Sequence, residues 1–131
     1  MLKPGQFDVN DAWVVFRLNS APMPTETEGD FNVLCIMDVA SSFIFGNELM
    51  PVQSGEVTEP VAASLIEAGR ARTQSLPNRL LLASELDLER FAALAEKLGV
   101  EVQWLTEEEL SPLTAETREI FREDFEKRRG R

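Results

Sequence analysis

The sequence predicts an α/β domain on a five-stranded mixed sheet, in spatial order 3-2-1-4-5, with helices on both faces. Three observations carry that expectation. The first half of the chain holds three short apolar segments rich in β-branched and aromatic residues. The second half alternates helical and extended patterns. Right-handed crossovers then place the fourth and fifth strands beside the first. The length, 131 residues, fits a single domain over 1–131.

Residues 1–11 read as an irregular lead-in. Strand one is Ala12-Trp13-Val14-Val15-Phe16-Arg17-Leu18. Asn19 to Asp30 is an exposed connection carrying prolines and the acids Glu26, Glu28 and Asp30, a solvated segment in preference to a binding loop. Phe31 to Met37 is a near-continuous apolar run, short enough for a strand buried on both faces. Asp38 to Ser42 supplies turn chemistry, and Phe43 to Met50 returns as strand three in an antiparallel hairpin, with Gly46 marking a bulge.

Thr58 is placed to cap a first helix that opens with Glu59 and Pro60 and buries Val61, Leu65, Ile66 and Ala68. Gly69 is expected to weaken its end. Pro77 introduces strand four, Arg79 to Ala83. Ser84 reads as the cap of a second helix, with Glu85 and Asp87 in its first turn. Leu88, Phe91, Ala92, Leu94, Ala95 and Leu98 form its buried face, and Gly99 closes it. Val100 to Leu105 alternates like a half-buried edge strand. The core therefore spans 12–105. A helical extension covers 106–131: Thr106 to Glu109 is a capping-box pattern opening a short turn, Ser111-Pro112 marks a boundary, and a last helix starts near Thr114.

Composition narrows the chemistry. The chain has no histidine and one cysteine, Cys35, inside an apolar run. Ser-His-Asp and Cys-His nucleophiles and histidine-containing zinc sites are therefore ruled out. Cys35 reads as a small buried hydrophobe in a reducing compartment. The net charge of −10 divides into −7 over residues 1–60 and −3 over residues 61–131. Such a surface repels phosphate backbones and argues against nucleic acid as a partner. The basic end Lys127-Arg128-Arg129-Gly130-Arg131 is the exception, and it suits the negative pole of a helix dipole. No stretch has the length of a membrane span and no signal core follows Met1, so the expected location is the cytoplasm.

The segment Leu34-Cys35-Ile36-Met37-Asp38-Val39-Ala40-Ser41-Ser42-Phe43-Ile44-Phe45-Gly46 resembles strands two and three of the retroviral integrase and transposase core, a ribonuclease H-like fold. Thr58-Glu59-Pro60-Val61 is similar to the start of that family's first helix. Pro77 with Leu80-Leu81-Leu82 is similar to its fourth strand, and Phe91 to Val102 to its helix-glycine-strand segment. The resemblance covers about residues 12–105, is a pattern of apolar runs and turns, and extends to small bacterial domains of this type. It implies carboxylates from strand one, the end of strand four and a later helix holding two divalent metals. Two departures stand against that. Strand one carries no acid and offers Arg17, and Ala83-Ser84-Glu85-Leu86 replaces the metal-binding aspartate after strand four.

The resulting expectation is a non-catalytic interaction or structural domain, with no metal or cofactor. The alternative is a divergent nuclease or phosphotransferase using Mg or Mn on Asp38, Glu85 and a late-helix acid such as Glu119, Glu116 or Glu123. On residue chemistry Asp38 reads instead as an acceptor of turn N–H groups, and Glu107-Glu108-Glu109 as a solvated first helical turn. A third reading is a partner-binding or self-associating module. Its contacts would come from Trp104, which reads as a near-core residue but marks a contact surface if it is exposed on the edge strand, and from the stripe Ile120, Phe121, Phe125 on the last helix, which could pack on its own sheet or on another subunit.

Overall fold

The computed structural model describes residues 2–19, 29–52 and 57–129. Glu26 and Glu28 of the acidic connection, and Gly130 and Arg131 of the basic end, lie outside the described residues. Five strands form one sheet: β1 (Ala12–Arg17), β2 (Phe31–Asp38), β3 (Ile44–Pro51), β4 (Arg79–Ala83) and β5 (Glu101–Leu105). Their order is β3-β2-β1-β4-β5. The β1–β2 and β2–β3 pairs are antiparallel, and β1–β4 and β4–β5 are parallel. A 3₁₀ turn at Pro4–Gln6 gives the lead-in one element of its own.

The alternation of side chains across the central strand separates two apolar layers. Trp13 and Val15 point to one face with Leu34, Ile36, Leu80 and Leu82, where helices α1 (Glu59–Thr73) and α2 (Glu89–Lys97) cover them. Ala12, Val14 and Phe16 point to the other face with Cys35, Met37 and Leu81, covered by Leu110 and Leu113 of helix α3 (Glu107–Arg129) and by Leu2 and Phe7 of the lead-in. Both faces of β1, β2 and β4 are buried, so near-continuous apolar runs are what these strands require.

Gly69 does not end α1. A Cβ there would lie 2.6 Å from the Trp13 ring, so the missing side chain lets the helix settle against the indole, and α1 continues to Thr73. Phe45 packs on the same ring, with centroids 4.8 Å apart. The bulge expected at Gly46 falls beside it: Ile36 pairs with Gly46 and Met37 with Ile44, which leaves Phe45 between them. Thr58 holds the N-cap position of α1 but makes no side-chain capping bond.

Two boundaries and one burial correct the sequence expectation. Helix α2 starts at Glu89 rather than after Ser84. Residues Ser84 to Leu88 instead form turns, with Leu86 N–H bonded to the Ala83 carbonyl and Asp87 carbonyl accepting from Val57 N–H. Leu98, expected on the buried face of α2, is exposed. Helix α3 is continuous from Glu107, with Pro112 inside it. The capping box is reciprocal: Glu109 N–H donates to Thr106 Oγ1 at 3.0 Å, and Thr106 N–H to Glu109 Oε1 at 2.9 Å. Pro112 removes one intrahelical donor, but it lies on the exposed side, where water can serve the carbonyl left over. Leu110, Leu113 and Thr114 hold that turn against the sheet.

Candidate functional site

The carboxyl ends of the parallel strands β1 and β4 are the place where this topology can assemble chemistry. Register pairs Val15 with Leu82, so Arg17 lies at the level where β4 gives way to Ser84 and Glu85. The Arg17 guanidinium reaches Glu107 at the start of α3, 3.3 Å to Oε1 and 3.4 Å to Oε2. Glu107 N–H in turn donates to Glu85 Oε1 at 2.8 Å. One acid thus binds the strand-one cation, and the other satisfies a free amide of the helix N-terminus.

A second polar group sits at the same end. Asn19 is buried; its Oδ1 accepts from Val33 N–H at 2.8 Å and its Nδ2 donates to Asn32 Oδ1 at 3.0 Å. Arg118 of α3 donates to the Asn19 carbonyl at 3.3 Å. Nothing local in the sequence signals this ring of contacts, since it joins the exit of β1 to the start of β2 and the middle of α3.

Asp38 is at the other end of the sheet. Its register partner is Trp13, near the start of β1, whereas Glu85 adjoins Arg17 at the finish. Four strand residues separate those levels, about 13 Å at 3.3 Å each. The structure therefore does not bring Asp38 and Glu85 into one site, and the three-carboxylate grouping with Glu119 is not assembled. Asp38 is 2% exposed and accepts three bonds: from Asn10 N–H at 2.8 Å, Ser41 N–H at 2.9 Å and Ser41 Oγ at 2.6 Å. Asn10 was missed by sequence reasoning. Its backbone is left-handed (φ 65°), its Oδ1 accepts from Trp13 Nε1 at 2.7 Å, and its Nδ2 donates to Ser75 Oγ at 2.7 Å.

Glu119 lies on the exposed face of α3, paired with Arg122, whose hydrogen bond and charge hold the carboxyl below its ordinary range. Arg122 also reaches Glu126 at 2.9 Å, and bonding to the two acids raises its own affinity for the proton. The apolar stripe of the last helix divides. Phe121 and Phe125 stack with centroids 6.1 Å apart, Phe121 packing on the layer under α3, whereas Ile120 points away and is 60% exposed. Trp104 is 42% exposed on β5. It borders an open groove of about 730 Å³ whose other walls include Glu85, Asp87, Glu89 and Glu96. Cys35 is fully buried, and burial pushes its thiol up to about 12.

The donor set at the ends of β1 and β4 does not match a two-metal centre. Its strand-one member is a guanidinium, and its two nearest acids are committed to that cation and to a backbone amide. Among the described residues there is no group of three or more acids or cysteines arranged to hold a metal ion. Among them, too, no helix is long and apolar enough to cross a membrane.

No family model matches the sequence, and no curated protein matches it. Solved structures do match the fold. One is the magnesium complex of the HTLV-2 integrase catalytic core domain, in its dimeric form, with a TM-score of 0.52 and 9% sequence identity. The match covers 76% of this chain and 62% of that one. Together with the strand order and the helices on both faces, it establishes that the chain has a ribonuclease H-like fold.

Proposed function

We propose that this chain is a non-catalytic domain on a ribonuclease H-like scaffold, with an interaction or structural role. The observation that carries this reading is the Arg17–Glu107 pair at 3.3 Å. The resemblance to integrase cores implies an acid on strand one, converging with acids from the end of strand four and a later helix. Here the strand-one position carries a cation, and Glu107 answers it. Glu85, the acid after β4, is bonded to the Glu107 amide. A divalent ion would have to displace Arg17 from Glu107 and overcome its charge, which works against assembly of a metal clamp.

The setting that fits this reading is the cytoplasm of a bacterial cell. The lone buried thiol suits a reducing compartment, and the sequence pattern resembles that of small bacterial domains. The partner is then a protein, or a second copy, in preference to nucleic acid, because the net charge is −10.

Isothermal calorimetry with manganese and magnesium tests the non-catalytic reading. The expected result is no saturable heat with either ion, and no cleavage of single- or double-stranded DNA or RNA in a parallel assay. A saturable two-ion isotherm that disappears in Glu85→Gln or Glu107→Gln would overturn it.

A further inference from the structure

The free edge of β5 presents an aromatic face. Trp104 is 42% exposed there, and with Leu86 it borders the groove of about 730 Å³. A groove of this size can take several side chains of an incoming segment. Its rim is acidic: Glu85, Asp87, Glu89 and Glu96 line it, and among the described residues no basic side chain does. Asp87, Glu89 and Glu96 make no ion pair among the described residues. An exposed indole beside uncompensated carboxylates suits a guanidinium or ammonium group, which gains the ring face and charge-assisted hydrogen bonds together.

The chain itself carries a segment of that chemistry. Lys127-Arg128-Arg129-Gly130-Arg131 holds four cations in five residues, the densest basic run in the sequence. Lys127 is exposed. The route of α3 carries Lys127 away from the groove of its own chain. The helix leaves the end of β5, meets Arg17 of β1 through Glu107, and meets Met37 of β2 through Thr117. It then continues for another twelve residues, to Arg129. Those twelve residues add about 18 Å at 1.5 Å each, directed away from β5. Contact between the two surfaces is therefore intermolecular.

We propose that the basic run Lys127 to Arg131 of one copy, which takes in the last residues of α3, docks in the Trp104 groove of a second copy. The inference rests on the interaction reading above and gives it a partner, this same chain. The contact is head-to-tail, so the two surfaces differ and repetition yields a closed ring or an open chain of subunits.

Light scattering on the intact protein over a range of concentrations, with tryptophan fluorescence on the same samples, tests the proposal. The weight-average mass is expected to rise about twofold or more with concentration, as a head-to-tail contact requires. Fluorescence should shift to the blue in step, because Trp104 loses water while Trp13 is already buried. Two charge reversals separate the surfaces: Glu89→Arg with Glu96→Arg in the groove, and Lys127→Glu with Arg128→Glu and Arg129→Glu at the helix end. Each alone should remain monomeric. Mixing the two should restore association, because the reversed groove then faces the reversed end; this also shows that both variants are folded. A wild-type protein that stays monomeric throughout would sink the proposal but leave the non-catalytic reading intact, since metal calorimetry decides that separately. Association that survives both reversals would place the contact on another surface and overturn the proposal equally.

Discussion

Arg17 and Glu107 stand 90 residues apart in the chain, yet the guanidinium contacts both oxygens of the carboxylate, at 3.3 and 3.4 Å. The pair joins the central strand to the first turn of the last helix. Both side chains are largely covered, with 24% and 19% of their surface exposed. Each therefore depends on the other more than a surface pair does. Arg17→Ala and Glu107→Ala should each cost about 1–2 kcal/mol, with a coupling of about 1 kcal/mol in the double-mutant cycle. Urea denaturation of the four proteins measures it; purely additive losses would show that the contact contributes nothing to folding.

Gly69 is fixed by Trp13. A methyl group there would meet the ring at 2.6 Å, so Gly69→Ala should destabilise by about 1–3 kcal/mol, against the usual gain from replacing glycine in a helix. Thermal melts of Gly69→Ala, with and without Trp13→Phe, check it. The second substitution should reduce the penalty, because it removes the outer ring atoms that collide.

Cys35 should be inert in the folded protein. Its thiol, 0% exposed, is pushed up from its ordinary value to about 12 by burial. A native thiol held protonated while the unfolded thiol ionises lowers stability as pH rises above about 9, and the fall continues towards about 12. Below that window the group makes no pH-dependent contribution. Disulfide-exchange reagents at mildly alkaline pH should label Cys35 only at the rate of unfolding. Cys35→Ala should flatten the alkaline slope of stability relative to the wild type.

Pro112 is a cost that α3 carries without evident compensation. It is exposed, follows a complete capping box, and removes a donor inside a continuous helix. Pro112→Ala should stabilise the protein by about 1–3 kcal/mol. A rise in melting temperature with unchanged circular dichroism is the expected outcome. A fall would mean that the proline directs the path of the helix over the sheet.

These sites also show where the sequence was legible. The runs Ala12 to Leu18 and Phe31 to Met37 are apolar because both faces of their strands are covered, and period and length suffice to read that. The capping pattern Thr106 to Glu109 was equally clear, since all its bonds are local. Ser84 misled: a good capping residue before acids is a local preference, and the turn formed by Leu86 N–H on Ala83, with Val57 bonded to Asp87, overrides it. Ser111-Pro112 misled for the opposite reason, because packing by Leu110 and Leu113 carries the helix through a residue that alone would stop it. At the candidate site, the cation at Arg17 was visible but its partner was not. Glu107 read as one of three solvated acids, and only the path of α3 from β5 back over β1 singles it out. The absence of shared ground between Asp38 and Glu85 likewise depends on strand direction, which residue chemistry does not encode.

The path of that helix has a consequence for the order in which the molecule can be completed during synthesis. One side of the sheet is closed by α1 and α2, which emerge interleaved with the strands they cover. The opposite side, formed early by Ala12, Val14, Phe16, Cys35 and Met37 and covered in part by Leu2 and Phe7, has to wait for Leu110 and Leu113 to be closed. Until the ribosome has released that stretch, a nascent chain would display a broad oily surface to the crowded cell, a state suited to chaperone capture.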